Sequence, residues 1–382
     1  MPSFRLALPA SVHFGEGRLA ELPGIARRYG DRLFLVTGAS WLERSGRLAG
    51  VLAALGNAAV ERHACPPGEP TVDSVEEARR RARAFGPQAI VAIGGGSALD
   101  TAKAVAGLLD TPEPVERFLE GLGRTLELPG PGVPWIAVPT TAGTGAEATR
   151  NAVLRLKDRG FKRSLRSPFL LAAEVIVDPA LTADLPPDVT GVGGLDALTQ
   201  LVEAHVARNA NAFTSSLVRG AFLPMLDALE RLRDTPADIG LRSAAAYGAF
   251  ASGIALANAG LGAAHGFASG LGGMHDIPHG LICAVFLPHV LEANAAVIRE
   301  RVADLAGGRN GSTDPVQWLA DSVRRLLGVY GLPADLRGYG VPAERVPEIV
   351  ERSAGSSMRG NPRELGRDEQ ERIVRLALGS AA

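Results

Sequence analysis

Residues 89–103 have the sequence AIVAIGGGSALDTAK, an apolar run followed by three glycines, a serine and a helical pattern. The apolar run predicts a buried strand, and alanines and leucines at helical spacing continue to Leu109. Glycines let a ligand approach the backbone, and a helix start presents unpaired N–H groups and the positive end of its dipole. The pattern therefore predicts a strand, a diphosphate-binding loop and a helix capped by Ser97. A tight turn that binds nothing is the alternative, and G-x-G-x-x-G spacing is absent because Leu99 occupies its third glycine position.

Length, charge and cysteine content limit the class of protein. A chain of 382 residues is longer than one hydrophobic core usually supports, so two domains are expected. The formal net charge of −1 provides no basic excess for a nucleic acid backbone. Cys65 and Cys283 have no CxxC spacing, and the N-terminal residues contain no signal-peptide apolar region. We therefore expect a cytoplasmic protein without a nucleic acid partner.

The segment from Ser243 to His275 contains no Asp, Glu, Lys or Arg and is long enough to span a bilayer. Its residues are mainly Ala, Gly and Ser, with few large apolar side chains. This composition predicts tightly packed, buried helix rather than a membrane span.

Apolar runs alternate with helical patterns in the first half of the chain, which is typical of an open, mostly parallel sheet. The predicted strands are 4–8, 33–37, 59–63, 89–93, 135–138 and 174–177, and the predicted helices are 18–28, 41–55, 72–85 and 98–109. Residues 1–185 are thus predicted to form a doubly wound α/β nucleotide-binding domain. Further helices are predicted at 188–207, 212–232, 237–259, 280–306, 315–327, 342–354 and 367–378. Residues 186–382 should therefore form an all-helical domain, and the cleft between the domains is the expected ligand site.

Residues 139–147, with the sequence PTTAGTGAE, follow the strand predicted at 135–138. Hydroxyls and glycines at the carboxyl end of a parallel strand favour ligand binding. A hydrogen-bonded turn is the alternative interpretation.

A second set of polar residues lies in the predicted helical domain. Asp196, Gln200 and Glu203 are spaced i, i+4 and i+7, so they share one face of a helix whose other faces are apolar. His265 follows a glycine-rich segment, and His279 stands at the predicted start of the next helix. Each histidine alone is consistent with a structural role. Together with Asp196 they are ligand types that Zn²⁺ or Fe²⁺ requires.

These motifs resemble the iron-containing (group III) alcohol dehydrogenase family along essentially the whole chain. The motifs are FGEG at 14–17, GGGS at 94–97 with Asp100 and Lys103, PTT at 139–141, GTG at 143–145 with Glu147, GLDAL at 194–198, GLG at 260–262 before His265, and PHG at 278–280. The resemblance implies a dehydroquinate synthase-like fold with a nucleotide domain and a helical domain. It also implies an NAD or NADP cofactor, one divalent metal (Fe²⁺ or Zn²⁺) and a homodimer.

The resemblance also implies roles for individual residues. Gly95, Gly96 and Ser97 would hold the cofactor diphosphate, and further cofactor contacts would come from Asp100, Thr140, Thr141, Thr144, Asn151 and Lys162. Asp196, His265 and His279 match three of the family's four metal ligands. Gln200 occupies the fourth position, where many members have histidine, and its amide oxygen is a weaker, neutral ligand, so Gln200 is expected either to bind the metal weakly or to contact the other ligands. Ser269 replaces a histidine of the proton relay, and His275 is a candidate for substrate contact or proton transfer.

Gly38 bears on the choice of cofactor. In the family an aspartate often follows the strand that here ends at Thr37. Such a carboxylate would bind the ribose 2′-OH and repel a 2′-phosphate. Gly38 removes that repulsion, so NADP(H) is expected to be accepted, with Ser40 as a nearby donor.

The predicted function is metal-dependent, NAD(P)-linked hydride transfer between a small alcohol and its aldehyde or ketone. One alternative is a metal-independent, maleylacetate-type reductase of the same fold. Another is a sugar-phosphate cyclase resembling dehydroquinate synthase, although its substrate would require more lysine and arginine than these motifs contain. A non-catalytic nucleotide-binding protein is the third alternative, on the evidence of Gln200 and Ser269.

Overall fold

The alternation of apolar runs and helical patterns corresponds to two compact units of different architecture. The computed structural model describes residues 3–156 and 159–380. The first unit comprises Ala7–Thr141 and Gly145–Thr182. The second comprises the described residues from Ala183 onward, together with the short segments 3–6 and Ala142–Thr144.

A parallel sheet forms the centre of the first unit. The strands of this unit are β1 (Ser11–Phe14), β2 (Arg32–Thr37), β3 (Ala59–Ala64), β4 (Ala89–Gly94), β5 (Trp135–Pro139), β6 (Asn151–Leu156), β7 (Phe161–Arg166) and β8 (Glu174–Val177). Six of them pair in the order β1-β8-β5-β4-β2-β3, all parallel, and β6 and β7 form an antiparallel hairpin. The central strands β4 and β5 are buried throughout, as expected where both faces of a parallel sheet are covered. Because β2 is followed by β3 on one side and β4 lies on the other, the strand order reverses between β2 and β4. Ligands of open α/β sheets bind at such a switch point.

In the described part of this unit, five α-helices connect the strands. They are α1 (Leu22–Arg27), α2 (Trp41–Arg44), α3 (Arg47–Leu55), α4 (Val72–Phe85) and α5 (Gly96–Leu108). The bounds of α4 agree with the prediction, because Thr71 and Ser74 form a capping box at its start. The prediction that Ser97 caps α5 is wrong. The N-cap is Gly95, whose extended backbone starts the helix two residues earlier and places Ser97 inside the first turn.

Other segments of this unit also differ from the predicted elements. Residues 4–8 form no strand, and Phe4 is 46% exposed, so this apolar run has no core to pack against. The edge strand is β1 instead, whose His13 ring bonds the carboxylate of Glu174 at 3.1 Å. The predicted helix 41–55 divides into α2 and α3 because Gly46 adopts a left-handed conformation with φ 71°. The predicted helix 18–28 begins as a 3₁₀ turn before α1.

The second unit is helical, as predicted. Its helices are α6 (Pro187–Val206), α7 (Ala212–Leu232), α8 (Ile239–Ala259), α9 (Ala263–Gly272), α10 (His279–Ala306), α11 (Pro315–Val329), α12 (Val346–Arg352), α13 (Ser356–Gly360) and α14 (Arg367–Ala377). Helix α6 packs against α7, α8 and α10 and is buried from Gly194 to Val206. The predicted helix 342–354 is shorter and consists of a 3₁₀ turn followed by α12, whereas α13 was not predicted.

Two helices of this unit, α8 and α10, are long and apolar enough to cross a membrane. Most residues in both apolar windows are buried against the rest of the protein. The uncharged segment 243–275 forms buried helix, as predicted, but it is divided between α8 and α9 at the turn around Gly260.

Candidate active site

Three helices of the second unit bring four potential metal ligands together. Asp196 lies on α6, His265 on α9, and His279 and Cys283 on α10. One ligand atom from each of these residues lies within 4.8 Å of the others. The Asp196 Oδ1 atom is 3.3 Å from His265 Nε2 and 3.9 Å from His279 Nε2, and Cys283 Sγ is 3.7 Å from His279 Nε2. The structure thus brings together three predicted ligands and a cysteine that was not predicted.

The contact between α6 and α10 depends on Gly280. A Cβ atom at this position would overlap the carbonyl oxygen of Val192 and lie 2.9 Å from the Cβ of Asp196. Only glycine therefore allows the start of α10 to approach α6 this closely. This approach places His279, the neighbouring residue, beside Asp196.

Glu203 holds the ring of His265 in place. Its carboxylate accepts a hydrogen bond from His265 Nδ1 at 2.7 Å and another from the backbone N–H of Ala264 at 2.7 Å. With the proton on Nδ1, the Nε2 atom of His265 carries the lone pair that a metal requires. A carboxylate that orients a ligand histidine is the usual partner of such sites. Sequence reasoning placed Glu203 on the polar face of the helix but assigned it no role, because the contact joins residues that are distant in sequence.

The electrostatics of the cluster favour a positive charge at its centre. Burial disfavours a charged ring, but Cys283, Asp196 and Glu203 outweigh burial and raise the pKa of His265 well above its ordinary value. Burial also opposes ionisation of Asp196, yet His265 and His279 lower the pKa of its carboxyl. Asp196 Oδ1 and His265 Nε2 are buried and have no hydrogen-bond partner among the described residues. A carboxylate oxygen and a ring nitrogen that face each other without other partners fit a bound cation.

The structure places Gln200 next to the cluster with its amide engaged elsewhere. Its Nε2 atom donates to Asp196 Oδ2 at 3.4 Å, and its Oε1 atom accepts from Ser252 Oγ at 2.9 Å. Because an ionised carboxylate only accepts hydrogen bonds, the amide edge that faces Asp196 must be the N–H₂. The oxygen through which Gln200 was predicted to bind a metal therefore points toward Ser252.

Two further predicted residues lie outside the four-residue cluster. Ser269, at the relay position, donates from its Oγ atom to the backbone carbonyl of His265 at 2.9 Å. His275 follows the end of α9, and its charged neighbours are Arg345 and Glu348. Burial and then Arg345 lower the pKa of His275, so its neutral form is favoured. The role of His275 in substrate contact or proton transfer stays a prediction.

The glycine-rich loop of the first unit lies at the switch point between β2 and β4. Gly38, which follows β2, donates its N–H to the carbonyl of Ile93 on β4 at 3.2 Å. A Cβ atom at Gly95 would lie 3.2 Å from the side chain of Thr141, so the loop packs closely against the end of β5. The hydroxyl of Ser97 is buried without a hydrogen-bond partner among the described residues. These features fit a phosphate group at the start of α5.

Most of the other predicted cofactor residues make contacts within the first unit. Lys103 Nζ donates to Thr149 Oγ1 and to the carbonyl of Asn151, both at 2.7 Å, and pairs with Asp100 Oδ1 at 3.3 Å. These bonds join α5 to the β6–β7 hairpin. The side-chain oxygen of Asn151 is buried and without a partner in the described chain, and Lys162 pairs with Glu69.

Thr140 and Thr144, the two predicted cofactor residues not yet described, lie in the loop after β5. Thr140 donates its N–H to the carbonyl of Gly94 at 3.0 Å, next to the glycine-rich loop. Thr144 is exposed and belongs to the second unit. The cofactor roles of these residues stay predictions.

A glycine-rich loop at a switch point and a buried carboxylate–imidazole cluster fit a nucleotide- and metal-dependent dehydrogenase. The comparison with known families agrees. Residues 9–179 match the iron-containing alcohol dehydrogenase family, and residues 190–378 match the C-terminal part of the Fe-containing alcohol dehydrogenase family. The chain belongs to the iron-containing alcohol dehydrogenase family.

Individual relatives cover almost the whole chain. The probable alcohol dehydrogenase EutG of Escherichia coli is 32% identical over 360 residues, covering 94% of this chain and 90% of the relative. The NADPH-dependent butanol dehydrogenase of Clostridium saccharobutylicum is 31% identical and covers 97% and 96%. The structure of sulfoacetaldehyde reductase from Bifidobacterium kashiwanohense in complex with NAD⁺ has a TM-score of 0.89 and 25% identity and covers 100% of both chains. The predicted family, fold class and function are confirmed: the chain is a metal-dependent, NAD(P)-linked oxidoreductase that interconverts alcohols with aldehydes or ketones.

Proposed function

We propose that the chain holds one divalent metal with Asp196, His265 and His279, acts on small alcohols and aldehydes, and accepts NADP(H). The observation that carries this proposal is the pair of unpartnered atoms, Asp196 Oδ1 and His265 Nε2, which face each other at 3.3 Å inside a buried cluster. Neutral imidazole and carboxylate are ligands of both Fe²⁺ and Zn²⁺.

Glu203 and Gln200 each position one of the proposed metal ligands. A metal held there would supply Lewis acidity toward the substrate oxygen. Glu203 keeps the Nδ1 proton of His265 and leaves Nε2 free to bind. Gln200 donates to Asp196 Oδ2, which leaves Oδ1 directed toward the histidines. The two residues therefore orient two ligands without occupying ligand positions themselves.

The first unit would bind the diphosphate of the cofactor. The N–H groups of the first turn of α5 and the hydroxyl of Ser97 are donors for phosphate oxygens. The close packing of Gly95 on Thr141 supports this role, because a side chain at position 95 would fill the space between the two. Substrate chemistry then consists of hydride transfer by the nicotinamide ring.

Acceptance of NADP(H) is supported by the surroundings of Gly38. A Cβ atom at Gly38 would contact nothing within 4 Å, so the position has room for a 2′-phosphate. Arg62 donates a hydrogen bond from Nε to Thr37 Oγ1 at 3.2 Å. Its guanidinium group therefore lies beside the residue that precedes Gly38. This arginine also pairs with the exposed Glu43 at 3.3 Å. A guanidinium near the ribose suits a 2′-phosphate.

The names of some relatives support a small substrate, whereas a relative that is 33% identical is named a long-chain-alcohol dehydrogenase. A butanol dehydrogenase and a sulfoacetaldehyde reductase both act on short-chain compounds, which supports a small alcohol or aldehyde here.

We propose a cytoplasmic homodimer on the basis of the family resemblance, and light scattering after size-exclusion chromatography would measure the assembly.

Nicotinamide absorbance with a panel of small aldehydes, with and without a chelator, tests the proposed function. Turnover that is lost on chelation and restored by Fe²⁺ or Zn²⁺ is expected, whereas unchanged turnover would indicate the metal-independent reductase. His265→Ala should remove bound metal and turnover together, while His289→Ala, a histidine of α10 outside the cluster, should retain both. A kcat/KM for NADPH below about 0.01 of that for NADH, a difference near 2.7 kcal/mol, would contradict the cofactor proposal.

A further inference from the structure

We propose that Cys283 is the fourth protein ligand of the metal, in the place predicted for Gln200, and that its thiolate makes the site prefer Zn²⁺ over Fe²⁺. This inference rests on the proposed metal site of Asp196, His265 and His279. It goes beyond that site because it adds a sulfur donor and a preference between the two metals.

The position of Cys283 on its helix brings its sulfur to the cluster. Cys283 lies four residues after His279 on α10, so both side chains project from the same face. The Sγ atom is 3.7 Å from His279 Nε2 and lies within 4.8 Å of the Asp196 and His265 ligand atoms. The side chain is fully buried, and Asp196 and His265 are buried with 3% and 4% of their surface exposed.

Two of the distances agree with ligands that share one ion, whereas the 3.9 Å between Asp196 Oδ1 and His279 Nε2 is longer than tetrahedral coordination requires. Zn–S and Zn–N bonds of about 2.3 and 2.0 Å at a tetrahedral angle separate sulfur from nitrogen by roughly 3.5 Å. The distance from Cys283 Sγ to His279 Nε2 is 3.7 Å. Zn–O and Zn–N bonds of about 2.0 Å give roughly 3.3 Å, and Asp196 Oδ1 is 3.3 Å from His265 Nε2. The sulfur therefore already has the separation from its neighbour that tetrahedral coordination requires.

Gln200 is less suited to the fourth position. Its Oε1 atom accepts from Ser252 Oγ, and its N–H₂ group faces the Asp196 carboxylate. Turning the amide to direct Oε1 at the cluster would leave Asp196 Oδ2 without its donor. The bonds of Gln200 thus favour a role in orienting Asp196, and the cysteine is the remaining donor.

Sulfur changes the metal preference of the site. Thiolate is a soft ligand that zinc accepts readily, and Cys, His and carboxylate are its usual protein ligands. Fe²⁺ binds more weakly than Zn²⁺ to a given nitrogen, oxygen and sulfur site, and a thiolate adds to this difference. The alternative is that Cys283 is a small buried residue that only packs against the core.

Cobalt substitution distinguishes these roles without measuring activity. The protein is stripped with a chelator and loaded anaerobically with Co²⁺, and its absorption spectrum is recorded. We expect a near-ultraviolet thiolate-to-cobalt charge-transfer band in the unmodified protein and in Cys65→Ser, and its loss in Cys283→Ser. Visible cobalt bands without a charge-transfer band in the unmodified protein would overturn the sulfur ligand and leave the metal site intact. Absence of all cobalt bands would overturn the metal site and, with it, the proposed function.

Two further measurements address metal preference and folding. After anaerobic equilibration with equal concentrations of Zn²⁺ and Fe²⁺, the bound zinc-to-iron ratio should be at least tenfold lower in Cys283→Ser than in the unmodified protein. An unchanged ratio would overturn the preference. X-ray absorption of the unmodified, zinc-loaded protein requires no variant, and it should detect sulfur at about 2.3 Å from zinc. A shell of nitrogen and oxygen alone would overturn the proposal even where Cys283→Ser fails to fold.

Discussion

Glu203 offers a sharp test of the site because it touches a proposed ligand without being one. Its two carboxylate oxygens face three N–H donors: Nδ1 of His265 and the backbone nitrogen of Ala264, each at 2.7 Å, and the backbone nitrogen of His265 at 3.4 Å. Glu203→Gln keeps the shape of the side chain but leaves only one acceptor oxygen for the two close donors. We expect this variant to weaken metal binding about 10–100-fold.

The expected loss of metal affinity follows from the two orientations that the glutamine amide can adopt. If its N–H₂ faces Ala264, two buried donors oppose each other, at a cost of about 1–3 kcal/mol. If it faces His265, the ring must move its proton from Nδ1 to Nε2, which blocks the lone pair needed for the metal. A penalty of about 1–3 kcal/mol corresponds to roughly a 5–150-fold loss of affinity, in agreement with the effect of such partners in other metal sites.

Competition with a chelator of known affinity measures the effect in solution. Glu230→Gln is the matched control, because Glu230 lies on α7 and pairs on the surface with Arg325. The control should bind metal like the unmodified protein, and circular dichroism should show that both variants fold. A metal affinity for Glu203→Gln within twofold of the unmodified protein would refute the orienting role.

Three further predictions test other parts of the molecule. Gly38→Asp should lower kcat/KM for NADPH relative to NADH at least tenfold, because a carboxylate in this open position would repel a 2′-phosphate, and Gly38→Ala should leave the ratio unchanged in steady-state kinetics. Gly280→Ala should lower the free energy of unfolding by about 1–3 kcal/mol in urea titrations, since its Cβ would overlap the Val192 carbonyl, and a midpoint equal to that of the unmodified protein would contradict this packing. Burial lowers the pKa of His205 to about 4 in the folded protein. Between about pH 6.5 and pH 4 the unfolded chain therefore binds a proton at His205 that the folded protein does not bind. The free energy of unfolding should fall as the pH decreases through this range. In His205→Gln this decrease in the free energy of unfolding should be smaller by about 3 kcal/mol. Denaturant unfolding at both ends of this pH range measures the difference.

The central strands and several helices could be predicted because their patterns have a single physical cause. Strands β2, β4 and β5 are buried on both faces, so they appear as continuous apolar runs. Helix α7 has its predicted bounds because Asn211 and Thr214 form a capping box. The β6–β7 hairpin was missed because charged residues such as Arg155 interrupt its apolar pattern. The strand predicted at 4–8 was wrong because composition alone does not show whether a neighbouring strand is available.

The site was only partly predictable for a related reason. Asp196, His265 and His279 belong to local motifs, whereas the role of Glu203 depends on contact with His265 across 62 positions in the sequence. The part of Cys283 in the cluster depends likewise on the approach of α10 to α6. One signal for Cys283 was present, since its spacing of four residues from His279 places both on one face of a helix.

Helix α6 explains why so few residues specify the cluster. Asp196, Gln200 and Glu203 occupy successive turns of one buried face, and each has a different partner: the cluster itself, Ser252 and His265. The helix therefore carries one proposed ligand and orients both that ligand and another, so a rotation of α6 would misplace two of the four proposed donor atoms at once. Helix α10 carries the other two proposed donors, and Gly280 sets its distance from α6. Because the geometry depends on the packing of two helices, we expect substitutions at their contact to affect metal binding more than substitutions of equal size elsewhere in the core.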